Sequence, residues 1–211
     1  MPPRYAESPE LLRSLRLRDN LLDKTFAEEV WPLASYARLF YPGRTDLMFR
    51  PVVGDQPFDA VLETAAGTLI KHIEVTLALD GAAGYQAHLR MQHIVTHGHV
   101  SFATMPLARN RATGEVSHSE AIMVSPDVER AEELDRIRTA ALRKAAKRYP
   151  PHTALIVEYE RQRVRDQAGY ECVQDCCEAL FAEIAGTFNE LALVDGGGVF
   201  GSQHPGASHA A

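Results

Sequence analysis

Gln56–Leu79 reads QPFDAVLETAAGTLIKHIEVTLAL, and the pairing within this stretch decides the fold. Two apolar runs, Phe58–Thr64 and Thr68–Leu79, flank a small-residue link that ends in Gly67, the pattern of a β-hairpin. With the turn centred on Ala66-Gly67, residue 65 faces 68, 63 faces 70 and Asp59 faces Glu74 across the ladder. Alternation then puts Asp59, Val61 and Glu63 on one face with Ile70, His72, Glu74 and Thr76. The other face, with Ala60, Leu62, Leu69, Ile73, Val75 and Leu77, is apolar and belongs to the core.

Two carboxylates opposed across a ladder cost roughly 0.2–1 kcal/mol even when exposed, and burial raises the pKa of one of them. A divalent cation between them reverses the sign of that interaction, and hard oxygen donors suit Mg²⁺ or Mn²⁺. A one-residue shift of the turn would instead send the two side chains to opposite faces. On spacing alone both arrangements stand.

Outward from the hairpin, the chain alternates helices and strands. Residues 1–25 read as an N-terminal arm or a short helix around Pro9–Leu17. Phe26–Phe40 has helical spacing, with Pro32 forcing a start near Trp31 or a kink there. Met48–Val53 is a weak strand, interrupted by Pro51. Asp80–Ser125 lacks a sustained period and reads as an insertion, at about 80–128, with a short helix near Tyr85–Thr96 and one or two short strands. Val128–Tyr149 is the clearest helix, with Leu134, Ile137, Ala141 and Ala145 on one face and Pro150-Pro151 as its stop. TALIVEY, Thr153–Tyr159, is a continuous apolar run of the kind covered on both faces. A helix over Glu171–Phe188 and a strand at Leu191–Val194 follow. The expected class is α/β with a mixed central sheet flanked by helices, as one domain over 26–200 followed by a flexible tail at 201–211.

The 211 residues are 45% hydrophobic and 24% charged, enough to bury a core. No apolar run approaches the roughly 20 residues that span a bilayer, and the first residues lack a signal-type stretch, so a cytoplasmic protein is expected. Cys172, Cys176 and Cys177 share one helix and read as small packing residues. A net charge of −6 argues against non-specific coating of nucleic acid, while leaving room for a local basic groove.

An Asp in one strand, a turn, and a strand ending in Glu-Val-Thr make QPFDAVLE…IKHIEVT resemble the PD-(D/E)XK nuclease superfamily, in the branch whose strand ends I-E-V-T. The order of elements is similar too, with a helix before the hairpin and a later helix and strand in KAAKRYPPHTALIVEY. The likeness covers about residues 26–79 and 129–195. It implies a restriction-endonuclease-like sheet and metal-dependent hydrolysis of phosphodiester bonds, with DNA the expected substrate. Asp59 and Glu74 would hold Mg²⁺ or Mn²⁺. The family's pattern has a lysine two residues after the Glu, and here that residue is Thr76, which would orient water by hydrogen bonding. The alternative is a catalytically inactive, nuclease-like binding module. Cutting both strands of a duplex needs two sites, so a homodimer is expected with the nuclease.

Lys71 lies on the opposite parity from Glu74 and should point away from it, whereas Lys144, Lys147 or Lys24 could reach in from elsewhere. Arg136, Arg143 and Lys147 form a stripe on the long helix opposite the Leu134/Ile137/Ala141 face, with Lys144 beside them, suited either to a phosphate backbone or to a solvated face. Arg161, Arg163 and Arg165 make a second basic cluster. Glu28 or Glu29 could add a ligand. His88, His93, His97 and His99 crowd AHLRMQHIVTHGHV, and His93 and His97, one helical turn apart, offer a third reading as a zinc protein. No phosphate-cradling Gly-rich loop and no G-x-S-x-G are present, so an NTPase and a serine hydrolase find no support.

Overall fold

Pro32 has no N–H to give the carbonyl four residues before it, so the first helical segment cannot run on uninterrupted. A computed structural model, describing residue 17 and residues 21–79, 81–97, 106–118, 124–160 and 166–205, resolves this as α1 (Leu21–Thr25), a π-helical turn (Phe26–Val30) and α2 (Trp31–Phe40). The expected helix at Pro9–Leu17, apart from Leu17 itself, and Arg161, Arg163 and Arg165 lie outside the described residues.

The remaining described elements are β1 (Leu47–Pro51), β2 (Ala60–Thr64), β3 (Leu69–Leu77), α3 (Gly81–His97), β4 (Leu107–Arg109), β5 (Val116–His118), α4 (Pro126–Ala145), β6 (Thr153–Tyr159), α5 (Gln167–Ile184), β7 (Glu190–Asp195) and β8 (Gly201–Pro205). They fall into two compact units, one of residues 28–78 and 129–211, the other of residues 1–27 and 79–128.

The larger unit is built on a six-stranded mixed sheet in the order β1-β2-β3-β6-β7-β8. β3, β6 and β7 run parallel, and the outer pairings are antiparallel. β6 lies in the middle of the parallel trio. Its alternate residues go to opposite sides, Ile156 to a cluster with Leu33, Tyr36, Leu62, Ile73 and Val75, and Leu155 and Val157 to one with Ile137, Ala141, Val173 and Leu180. That is why TALIVEY carries no polar alternation: both faces are covered by helices. Cys177 is buried in the second cluster, and the three cysteines are free thiols.

The β2–β3 register pairs Ala60 with Ile73, Val61 with His72 and Leu62 with Lys71, the ladder that brings position 59 opposite 74. Gly67 closes the link at φ +84°, in the left-handed region that glycine enters without steric cost. The expected pairing of 63 with 70 does not form: a bulge between Leu62 and Glu63 puts Glu63 against Leu69. An extra residue on one strand interrupts the alternation, and Leu69, expected in the core, is 48% exposed.

The chain end also differs from expectation. Gly201–Pro205, read as the start of a flexible tail, forms an edge strand antiparallel to β7. Its pairing comes from backbone groups, to which glycine and serine contribute as well as any residue. Residues 206–211 lie outside the described residues.

A buried polar cluster ties β3, β7 and α2 together. Lys71 donates to Glu190 and, at 2.9 Å, to the Tyr41 hydroxyl, while Tyr36 donates to Glu190 and Gln203 Nε2 reaches the same carboxylate at 2.8 Å. Burial works against the Lys71 ammonium, but the Glu190 carboxylate outweighs it and the lysine pKa rises.

The smaller unit contains α3 and the β4–β5 hairpin. Leu89 of α3 packs on Leu107 and Val116, and the Gln86 amide clasps Leu107 through both its backbone N–H and its carbonyl, each at 3.0 Å. Among the described residues no helix is long and apolar enough to cross a membrane.

Candidate metal and nucleic-acid site

Glu74 and Thr76 alternate with Ile73 and Val75 along β3, so they face the α4 side of the sheet while their neighbours enter the α2-side core. Both are 6% exposed. Asp59 sits one residue before β2, held in the ladder by its N–H donating to the Ile73 carbonyl at 2.9 Å. Its side chain accepts the Val75 backbone N–H at 2.7 Å. That bond turns the Asp59 carboxyl toward β3, within hydrogen-bonding reach of Glu74.

The C-terminal half of α4 supplies the positive charge. Ile137, Ala140 and Ala141 are buried against the sheet. Lys144 lies seven residues beyond Ile137 and three beyond Ala141, so it continues the sheet-facing stripe. Its ammonium donates to Glu74 Oε1. The Tyr149 hydroxyl reaches the same oxygen at 3.3 Å, and Arg143 Nη2 lies 3.4 Å from Thr76 Oγ1.

Burial raises the Glu74 pKa, and the neighbouring Asp59 charge adds to the rise, while Lys144 and Tyr149 oppose it. Burial likewise raises Asp59, opposed by its bond from Val75 and by the charges of Lys144 and Lys147. Glu29, in the π-helical turn, is raised by partial burial and then by the Asp59, Glu28 and Glu74 charges, so it lies in the field of the pair. Lys144 on Glu74 and the field of Lys147 balance part of the charge of the two carboxylates, which are hard oxygen donors of the kind that suit a small divalent cation.

The raised values make a testable statement about stability. In the window from the ordinary carboxylate range, about 4, up to the raised folded values, the folded chain binds more protons than the unfolded one. Stability therefore falls as pH rises through that window. Other carboxylates, such as Glu63 beside Arg50, are lowered and act in the opposite sense, so the difference between two proteins is the useful measure. Melting temperatures in EDTA should show wild type losing ground to Glu74→Gln as pH rises from 4 to 7. A difference that is flat or grows in favour of wild type would contradict the raised values.

Of the residues singled out in the sequence, Asp59, Glu74, Thr76, Arg143 and Lys144 come together. Lys147 contributes its field, and Glu29 lies near enough to be shifted. Lys144, read as standing beside a basic stripe, faces the carboxylates. Arg136 is engaged by the buried Glu133, with Nη2 at 2.6 Å from Oε2. Lys71, as its parity predicts, points away and bonds Glu190. Glu63 pairs with Arg50 at 2.7 Å. Tyr149 was not among the sequence candidates; its place just before the Pro150-Pro151 stop gave only a helix-end signal. As the side chains stand, no three His, Cys, Asp or Glu groups among the described residues surround a common ion position.

Compared with protein-family models, with curated proteins and with solved structures, the chain matches none.

Proposed function

We propose that the chain is a metal-dependent nuclease that hydrolyses phosphodiester bonds of nucleic acid, with DNA as the first substrate to test. The observation that supports this reading best is the Lys144 ammonium on Glu74 beside Asp59. A buried acid pair with a lysine is a donor set that metal-assisted phosphodiester hydrolysis can use, and here the lysine comes from α4 instead of the strand position taken by Thr76. The resemblance of the hairpin motif to PD-(D/E)XK nucleases points the same way.

In this mechanism Asp59 and Glu74 would hold Mg²⁺ or Mn²⁺, ions that hard carboxylate oxygens suit. The ion, when bound, supplies Lewis acidity toward a phosphoryl oxygen and lowers the pKa of a bound water. Lys144 orients Glu74 and stabilises the negative charge that develops as water adds to phosphorus and the P–O ester bond breaks. Thr76 orients the water through its hydroxyl. Arg143, beside Thr76, and Lys147 meet the phosphates flanking the scissile one, contacts that fix register without reading sequence.

The deciding experiment incubates the full chain with single- and double-stranded DNA and RNA, with and without Mn²⁺. Cleavage should require the metal and fall to background in Asp59→Asn and Glu74→Gln. Binding without cleavage in every arm would favour the inactive binding module. Equal cleavage by wild type and both variants would end the nuclease reading at this site.

A further inference from the structure

The histidines of the smaller unit form a second cluster that the proposed chemistry does not use. His93 and His97 are four residues apart on α3 and so lie one turn apart on one face, in line with Leu89. On the facing hairpin, His118 follows Val116 by two and shares its face. Leu89, Leu107 and Val116 bury the apolar end of this contact, and the Gln86 clasp fixes the hairpin on the helix. The rings therefore meet. The His93 and His97 centroids are 4.4 Å apart, and those of His93 and His118 5.0 Å. His88 is exposed elsewhere on α3, and His99 lies outside the described residues.

We propose that His93, His97 and His118 form a site for one divalent transition-metal ion, with zinc as its representative, that clips the β4–β5 hairpin to α3. With Zn–N bonds near 2.0–2.1 Å and about 1.1 Å from ring nitrogen to centroid, two imidazoles on a tetrahedral ion have centroids roughly 5 Å apart. His93 keeps about that spacing to each of the other two rings. What remains is orientation, since their nitrogens do not yet surround one point. His97 and His118 are exposed, and rotation about their side-chain bonds would turn a ring nitrogen of each toward the buried His93. His97 also lines a cavity of about 340 Å³ with Thr96 and Glu115. Imidazole nitrogens favour Zn²⁺, Co²⁺ or Ni²⁺ over Mg²⁺, so this site and the carboxylate pair select different ions.

The test uses the full chain, stripped of metal by a chelator and dialysed. Titration with Co²⁺ should produce the visible absorption of a tetrahedral nitrogen site, saturating at one equivalent, and Zn²⁺ should displace it. His97→Ala and His118→Ala, at exposed positions that leave the core intact, should each weaken Zn²⁺ binding by at least about a hundredfold, beyond the ten- to hundredfold that loss of an outer-shell partner costs. His88→Ala and the double variant Asp59→Asn/Glu74→Gln should bind Zn²⁺ as wild type does. Wild type binding no tighter than the His97→Ala/His118→Ala double variant would overturn the proposal. So would Zn²⁺ binding that survives in that variant and disappears with the carboxylates.

Discussion

Lys144→Met is expected to bind Mn²⁺ more tightly than wild type and yet to cleave nucleic acid on the order of a hundred- to a thousandfold more slowly, the loss typical when one preorganised charge is removed from a reacting centre. The two effects have opposite signs because the ammonium has two consequences. Bonded to Glu74, it neutralises part of the charge that attracts the cation, so its removal leaves a more negative pair. In the proposed mechanism it also stabilises the charge that develops on the phosphorane, and a methionine of similar length fills the space without supplying that charge. Lys144→Arg should recover part of the rate. Lys147→Met, which removes a charge that acts on Asp59 only through its field, should slow cleavage far less. Calorimetric Mn²⁺ titration together with single-turnover rates checks both halves. Weaker Mn²⁺ binding combined with an unchanged rate would remove Lys144 from the chemistry.

Lys71→Met should destabilise the fold by about 3–5 kcal/mol, the cost of leaving a buried charge without its partner. The side chains of Lys71 and Glu190 are 11% and 6% exposed, and Glu190 also accepts from Tyr36 and Gln203. Once the ammonium is gone, the carboxylate must ionise in a poorly solvated place or take up a proton. Adding Glu190→Gln to Lys71→Met should recover a large part of the loss, because an amide can remain there neutral. Urea unfolding of the two single variants and the double variant measures this coupling. A loss below about 1 kcal/mol would mean that the cluster contributes little. The pair also separates two lysines close in the fold's logic but distinct in use: Lys71 supports the sheet, and Lys144 serves the carboxylates.

The hairpin register was one of two arrangements legible from Gly67 and the alternation, and the structure adopts the one that sets 59 opposite 74. The placement of Asp59, Glu74 and Lys71 followed from it. Hidden from that argument was the bulge at Leu62/Glu63, where the local strand pattern is unbroken and the irregularity depends on pairing with a second strand. TALIVEY could be read as a central strand because two covered faces need an unbroken apolar run. Gly201–Pro205 could not, since an edge strand of Gly, Ser, Gln, His and Pro advertises nothing in its side chains. The helical angle of Lys144 was readable from its spacing to Ile137 and Ala141. Its contact with Glu74 depends on how α4 lies over β3, which only the packing of the larger unit determines. His118 stayed hidden for the same reason: a three-residue strand has too little periodicity to announce which face meets α3.

The parallel pairing of β3 with β6 has a kinetic consequence. His72 and Thr153 meet across 81 positions of the chain, and 50 of these belong to Leu79–Val128. By loop-closure entropy, lengthening the connection from 31 to 81 residues costs only about 0.9 kcal/mol, so an excursion of this size is cheap at equilibrium. Timing is another matter. During synthesis β3 waits, with one edge lacking its partner, until β6 has left the ribosome, and distant pairing of this kind slows folding. A smaller unit that collapses early, drawing its two ends together, would shorten that wait.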